Sequence, residues 1–219
     1  MNRFYKAIAI LGIVTILGGL TAARNFGQMS AKESWHRGVE QTKQGNHQEA
    51  LADYTQALQQ NPNQAEVYNN RGNANFLVGN HQEAIVDYTQ ALQINPQFAE
   101  AYYNRGYARY QLGDRQGAIQ DYTQALRIDP DYLQAYGNRG VVRSDLGDRQ
   151  GAIEDYSHVL QLQPDLAPIY YNRGLVRLQQ RDTQEAAKDL QQAANLFTQQ
   201  GNTEAHQKVM EAIAQLKQS

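Results

Sequence analysis

Residues 99–132 read AEAYYNRGYARYQLGDRQGAIQDYTQALRIDPDY, and the fold turns on this stretch. Ala101, Tyr102, Arg105, Ala108, Arg109 and Leu112 recur at three–four spacing, the period of one helix face. Gly113 ends that run as a residue that tolerates the left-handed conformation past a helix C-terminus. Asp114 then caps a second helix, whose apolar stripe is Ala118, Ile119, Tyr122, Ala125 and Leu126. Asp129-Pro130 closes it, because proline disfavours helix in the residue before it. The stretch is therefore an antiparallel pair of helices joined by a glycine turn.

The same pattern returns every 34 residues in both directions. Pro62, Pro96, Pro130 and Pro164 keep that step, and so do Gly38, Gly72, Gly106, Gly140 and Gly174. Ala50, Ala84, Ala118, Ala152 and Ala186 run in register with Tyr54, Tyr88, Tyr122 and Tyr156 and with the turn glycines Gly45, Gly79, Gly113 and Gly147. Five units follow: 31–64, 65–98, 99–132, 133–166 and 167–200. Asn46, Asn80 and Asp182 each precede a glutamate by three residues (Glu49, Glu83, Glu185), which predicts capping boxes. The end units depart from the pattern, as repeats lacking a neighbour do. Ser34 replaces the tyrosine of the other units, while the fifth unit has Arg181 for glycine, Leu190 for tyrosine and Thr198 for proline. Residues 201–219 carry Val209, Met210, Ile213 and Leu216 on one stripe, predicting a helix that caps the last unit.

Residues 1–30 stand apart. Arg3 and Lys6 precede an uncharged run, AIAILGIVTILGGLTAA, from Ala7 to Ala23. As a helix the run would measure roughly 25 Å, slightly short of a hydrocarbon core of about 30 Å. A small-residue end at Thr21-Ala22-Ala23 suits a cleaved secretory signal equally well, so signal peptide and membrane anchor both remain open. Either one targets the chain to a membrane, with the repeats on the non-cytoplasmic side.

Composition removes several functions from consideration. The 219 residues contain no cysteine, which excludes disulfides, thiolate catalysis and iron–sulfur clusters. A formal charge of −2 is no basis for binding nucleic acid through its phosphates. The mean hydropathy of −0.70 is polar, but 9 % aromatic residues are too many for a disordered chain.

A 34-residue helix–turn–helix with an aromatic, a glycine, an alanine–aromatic–alanine series and a proline resembles the tetratricopeptide repeat, over residues 31–200. The resemblance implies an all-α, right-handed α-solenoid of tandem hairpins, in which first helices line a concave groove that holds a peptide or protein segment. Asn70, Asn104, Asn138 and Asn172 recur on that face. Comparable asparagines in the repeats of O-linked N-acetylglucosamine transferase bind the backbone of an extended peptide, and the resemblance implies the same ladder here. An amide offers a donor and an acceptor, matching one peptide group. Neighbouring rows vary: Trp35, Asn69, Tyr103, Gly137 and Tyr171 share one, and Val39, Asn73, Tyr107, Val141 and Leu175 the next. Phe76 and Tyr110 lie a turn further on, so Asn73, Phe76, Tyr103, Tyr107, Tyr110 and Tyr171 join the candidate peptide-binding face. Gly137 leaves a gap in it.

Arg71, Arg105, Arg139 and Arg173 keep step with Asp53, Asp87, Asp121, Asp155 and Asp189, which predicts a ladder of ion pairs. Arg109, Arg143 and Arg177 form a further series, either a basic stripe for acidic ligands or more ion pairs. Chaperone-adaptor members of the family grip a C-terminal carboxylate with lysines, asparagines and an arginine. Here Trp35 and Val39, then Glu100 and Asn104, stand where those groups are wanted, so no such clamp is expected.

Catalytic and metal sites are not expected. The chain has no GxxxxGK[ST] loop and no HExxH; His47 and His81 fall at equivalent turns as exposed polar residues, and His36, His158 and His206 lack metal-ligand spacing. The expected function is a non-enzymatic scaffold without cofactor, partnered by a protein or peptide and not by nucleic acid, and held to a membrane through residues 7–23 if they are retained. The alternative is a structural or oligomeric assembly subunit that docks through its convex face or C-terminal helix.

Overall fold

The computed structural model describes residues 29–216. The expected signal or anchor at Ala7–Ala23 lies outside them, and no helix among the described residues is long and apolar enough to cross a membrane. The described residues form eleven α-helices and no strand. They are α1 (Ala31–Lys43), α2 (His47–Gln60), α3 (Ala65–Leu77), α4 (His81–Ile94), α5 (Ala99–Gln111), α6 (Arg115–Ile128), α7 (Leu133–Asp145), α8 (Arg149–Leu162), α9 (Ala167–Gln179), α10 (Thr183–Gln199) and α11 (Thr203–Leu216). The hairpins α1–α2 through α9–α10 repeat the 34-residue step at every first-helix start. The chain divides into two compact units, one ending at Asn63 and one starting at Gln64.

In the first unit, α1 packs on α2 at Gly38. A Cβ there would stand 2.6 Å from Cε1 of Tyr54, so the absence of a side chain lets the ring lie against the helix. The Tyr54 hydroxyl shares a 2.9 Å hydrogen bond with Thr42 Oγ1, and Arg37 pairs with Asp53. Ser30 and Glu33 form the capping box of α1: the Glu33 amide donates to Ser30 Oγ (3.2 Å) and the Ser30 amide to Glu33 Oε2 (2.8 Å). The Ser30 amide, together with the Ser30 hydroxyl donating to Glu33 Oε2 at 2.9 Å, holds the Glu33 carboxyl below the ordinary carboxylate range.

The second unit stacks α3 to α11. Ala84, Ala118, Ala152 and Ala186 are fully buried where each second helix meets its neighbours, and Tyr88, Tyr122 and Tyr156 fill the space between helices. Successive first helices (α3 with α5, α5 with α7, α7 with α9) touch directly, whereas successive second helices do not among the described residues. Closer spacing on one side curves the stack, and the first helices lie on its inner face.

An ion-pair ladder runs through the unit as the register predicts. Arg105 and Arg139 each hold their aspartate with two bonds, Nη2 to Oδ1 at 2.7 Å and Nε to Oδ2 at 3.0 Å, on Asp121 and Asp155 respectively. Arg173 does the same to Asp189 at 2.8 and 2.9 Å. The free Nη1 of each then donates to the preceding repeat, at Thr89 (3.1 Å), Thr123 (3.1 Å) and Ser157 (2.9 Å). Each guanidinium also lies over the tyrosine three residues before it: Arg105 is 5.5 Å from the Tyr102 ring centroid and Arg139 is 5.4 Å from that of Tyr136. One arginine thus aligns its own hairpin and the join to the previous one. Arg109, Arg143 and Arg177 close on the same aspartates at 2.8, 2.9 and 2.5 Å, so of the two readings of that series the ion-paired one holds.

Three local expectations change. Asn46 and Asn80 make no side-chain cap; the Asn46 amide is turned away to donate to Gln41 Oε1 at 2.8 Å. Asp182 does accept from the Glu185 amide (3.3 Å), but the Glu185 carboxylate goes to Lys188 instead of closing a box. On α11, Val209 and Ala212 are buried against Leu190, Ala193 and Phe197 with Ile213 and Leu216 beside them, while Met210 is 44 % exposed and leaves the expected stripe.

Turn glycines Gly79, Gly113 and Gly147 take φ of +87°, +84° and +82°, and Arg181 takes the same left-handed place at +65°. A Cβ in that region is strained. Arg181→Gly is therefore expected to raise the unfolding free energy by about 0.5–1 kcal/mol, the strain relieved being partly offset by the flexibility glycine adds to the unfolded chain. Urea titration of both forms measures it; an unchanged or lowered midpoint overturns it.

Candidate functional site

The inner face of the second unit is made by α3, α5, α7 and α9. Their asparagines sit immediately before the ladder arginines, which fixes their rotational position: each arginine reaches the second helix, and the residue before it is turned toward the inner face. Asn70, Asn104, Asn138 and Asn172 are all half-buried.

Two of the four are partly engaged by the scaffold. Asn69, almost completely buried, donates to Glu100 Oε1 at 3.1 Å and accepts from Asn104 Nδ2 at 3.1 Å. Asn138 Nδ2 donates to the Tyr103 hydroxyl at 3.1 Å. In each case one amide proton goes to the preceding repeat; Asn104 keeps its other proton and its carbonyl oxygen without a protein partner among the described residues, whereas Asn138 also meets the Tyr122 phenol. Asn70 and Asn172 make no side-chain hydrogen bond among the described residues. Asn73 is used differently: its Oδ1 accepts from the Tyr88 hydroxyl at 2.7 Å, which holds that buried ring in place.

The aromatic candidates fall into four groups. Phe76 lies 5.2 Å from Tyr107 and 4.6 Å from His81 between ring centroids, so His81 is half-buried against a ring instead of exposed; His47 is also half-buried, and Nδ1 of each is unpartnered among the described residues. Tyr103 packs between Tyr122 (5.8 Å) and Tyr132 (5.0 Å), and burial pushes all three phenols above their ordinary pKa. Tyr110 donates to Asp145 Oδ2 at 3.1 Å. Tyr171 packs against the cluster of Ala167, Leu190 and Phe197 with α11, making it part of the terminal core.

Beside Asn138 and Asn172 opens a pocket of about 390 Å³. Gly137 is its floor: a Cβ added there would meet only Ile169 Cδ1, at 3.9 Å. Tyr103 forms one wall; Leu166, Pro168 and Ile169, from the turn into α9, form the other. Sequence reasoning singled out Gly137 and missed this second wall, although Pro168 one position into α9 was a visible sign of a helix start beside it. Asn69 was placed in the right row without its bond to Glu100, which lies one position into the next helix. Among the described residues no group of three or more His, Cys, Asp or Glu is placed to hold a metal ion.

Family models described as TPR repeat match residues 38–79, 76–113 and 143–181, and models described as tetratricopeptide repeat match 99–132 and 167–199. The chain belongs to the tetratricopeptide repeat family, whose fold is that of a protein–protein interaction scaffold. By sequence, no curated protein matches it. Among solved structures it is similar to MamA, at 24 % identity over 78 % of this chain and 93 % of that one, with a TM-score of 0.73. It is similar too to YrrB, described as a TPR protein with an unusual peptide-binding site, at 19 % identity over 87 % and 97 % with a TM-score of 0.73. A third is the first TPR of Spaghetti (RPAP3) bound to the HSP90 peptide SRMEEVD, at 26 % identity over 55 % and 96 % with a TM-score of 0.53.

Proposed function

We propose that this protein is a non-enzymatic scaffold whose inner face, from α3 to α9, binds an extended segment of a partner protein. The observation that carries the reading is the state of the asparagine row. Half-buried amides at Asn70, Asn104, Asn138 and Asn172 retain hydrogen-bonding capacity that the scaffold does not use, and they stand one repeat apart on one face. A peptide in extended form presents its C=O and N–H groups at intervals, and such amides pair with them irrespective of side chains. Each bond adds about 0.5–1.5 kcal/mol net, so several must act together. Two structurally similar proteins are peptide binders by description, which favours the same use here. The exported or membrane-held state proposed for the repeats rests on the Ala7–Ala23 run alone.

The test is selection of peptides from a random phage-displayed library on the full chain, with Asn104→Ala/Asn138→Ala as comparison. Peptides selected by the native chain are expected to lose at least tenfold in affinity on the double variant. Peptides that bind both proteins equally place docking on the convex face or α11 and overturn the groove; failure to select any peptide overturns it as well.

A further inference from the structure

We propose that the pocket above Gly137 takes one large apolar side chain, that of leucine, methionine or phenylalanine, from a peptide that carries lysine or arginine beside it. This rests on the groove reading and says which sequences the groove selects.

Four observations lead there. The first is space: Trp35, Asn69, Tyr103 and Tyr171 occupy the equivalent position in the other hairpins, and only at Gly137 does the row fall back to bare helix. At about 390 Å³ the pocket is within the range of sites that enclose a ligand group, roughly 300–1,000 Å³. The second is its lining. Leu133, Val141, Val159, Leu166, Pro168 and Ile169 supply apolar surface, and no lining residue is ionisable except the tyrosine, whose phenol is held neutral by burial. A charged side chain entering it would lose its hydration and meet amides but no opposite charge.

Third, Asn138 and Asn172 both line the pocket, one from each of the two first helices. Amides on both sides grip the peptide backbone across the opening, which leaves the side chain between the two grips directed at Gly137. Fourth is charge. The seven arginines of α3, α5, α7 and α9 are matched by seven carboxylates, the four buried aspartates and the exposed Asp114, Asp148 and Glu185. By contrast, Glu66 and Glu100 are exposed and make no ion pair among the described residues, and Glu100 lies one turn before the pocket wall Tyr103. The field along this end of the face is negative, so it attracts cations close to the apolar anchor and disfavours acidic peptides.

The experiment sequences the library peptides selected by the native chain, then measures the affinity of the best one as a labelled synthetic peptide. Selected peptides are expected to share one leucine, methionine or phenylalanine with a lysine or arginine within about three residues. Changing that anchor to alanine in the peptide is expected to weaken binding at least tenfold, a measurement that leaves the protein untouched. Gly137→Leu, which fills the pocket, is expected to lose the same factor, and in a fresh selection to choose alanine, serine or glycine at the anchor. Glu100→Gln is expected to cost about threefold and to flatten the salt dependence. If peptides are selected and depend on Asn138 and Asn172 (lost on Asn138→Ala/Asn172→Ala) but tolerate both the anchor change and Gly137→Leu, the pocket proposal falls and the groove stands. If the selected peptides ignore the asparagines, or none is selected, both fall.

Discussion

Asp121→Ala is expected to lower the unfolding free energy by about 3–5 kcal/mol, among the largest effects of any single change to this chain. Asp121 is 2 % exposed and accepts from Arg105 at 2.7 and 3.0 Å and from Arg109 at 2.8 Å. Removing the carboxylate leaves Arg109 with only Asp114, at 3.8 Å, and Arg105 with no anion while pinned between a tyrosine ring and Thr89 of the preceding repeat. The damage therefore reaches beyond the third hairpin to its junction with the second. In a stack where each repeat contacts only its neighbours, such a junction term is felt along the array. Asp131→Ala, at an exposed site after the proline, is the control and should stay within about 0.5 kcal/mol. Urea unfolding followed by circular dichroism measures both. Replacing Asp121, Arg105 and Arg109 together with leucine or methionine should recover much of the loss, because the cost lies in stranded charge more than in lost attraction. A midpoint for Asp121→Ala indistinguishable from the control would show that the ladder is ornamental to stability.

That ladder also marks how far the sequence could be read. Arginine and aspartate lie 16 residues apart in every hairpin, so their pairing followed from register alone. The second use of each arginine, on Thr89, Thr123 or Ser157, was not legible, because it depends on how closely the next hairpin is laid against the last. The capping boxes at Asn46 and Asn80 failed for a related reason: a short amide has several partners within reach, and Gln41 won at Asn46. The same ambiguity governs the asparagine row. Its spacing was evident from the 34-residue step, but whether Asn104 turned to a ligand or to Asn69 was a rotamer choice that no periodicity contains. Gly137 was the converse case. A missing side chain has no rotamer, so the gap it predicts depends only on what stands opposite, and Ile169 stands at ordinary contact distance.

Two identical substitutions on α7, three residues apart, are expected to act in opposite directions. At Gly140 a Cβ would lie 2.7 Å from Cε1 of Tyr156 and 3.1 Å from its Cδ1, inside contact distance of a ring that is 2 % exposed and has nowhere to go. Gly140→Ala must move either α7 or that ring, and overpacking of this kind costs about 1–3 kcal/mol. At Gly137 the nearest atom to a new Cβ is 3.9 Å away, so alanine meets no obstacle. It removes backbone freedom from the unfolded chain in a helix interior, which stabilises by about 0.5–1 kcal/mol. Thermal and urea unfolding of the two variants beside the native chain read both signs in one series. The contrast bears directly on the pocket: a glycine demanded by packing, as at Gly140, says nothing about ligands, whereas one that weakens its helix and touches nothing leaves room for a group from outside. Should Gly137→Ala destabilise the chain as Gly140→Ala does, the space over α7 is not open and the side-chain anchor proposed for it has no seat.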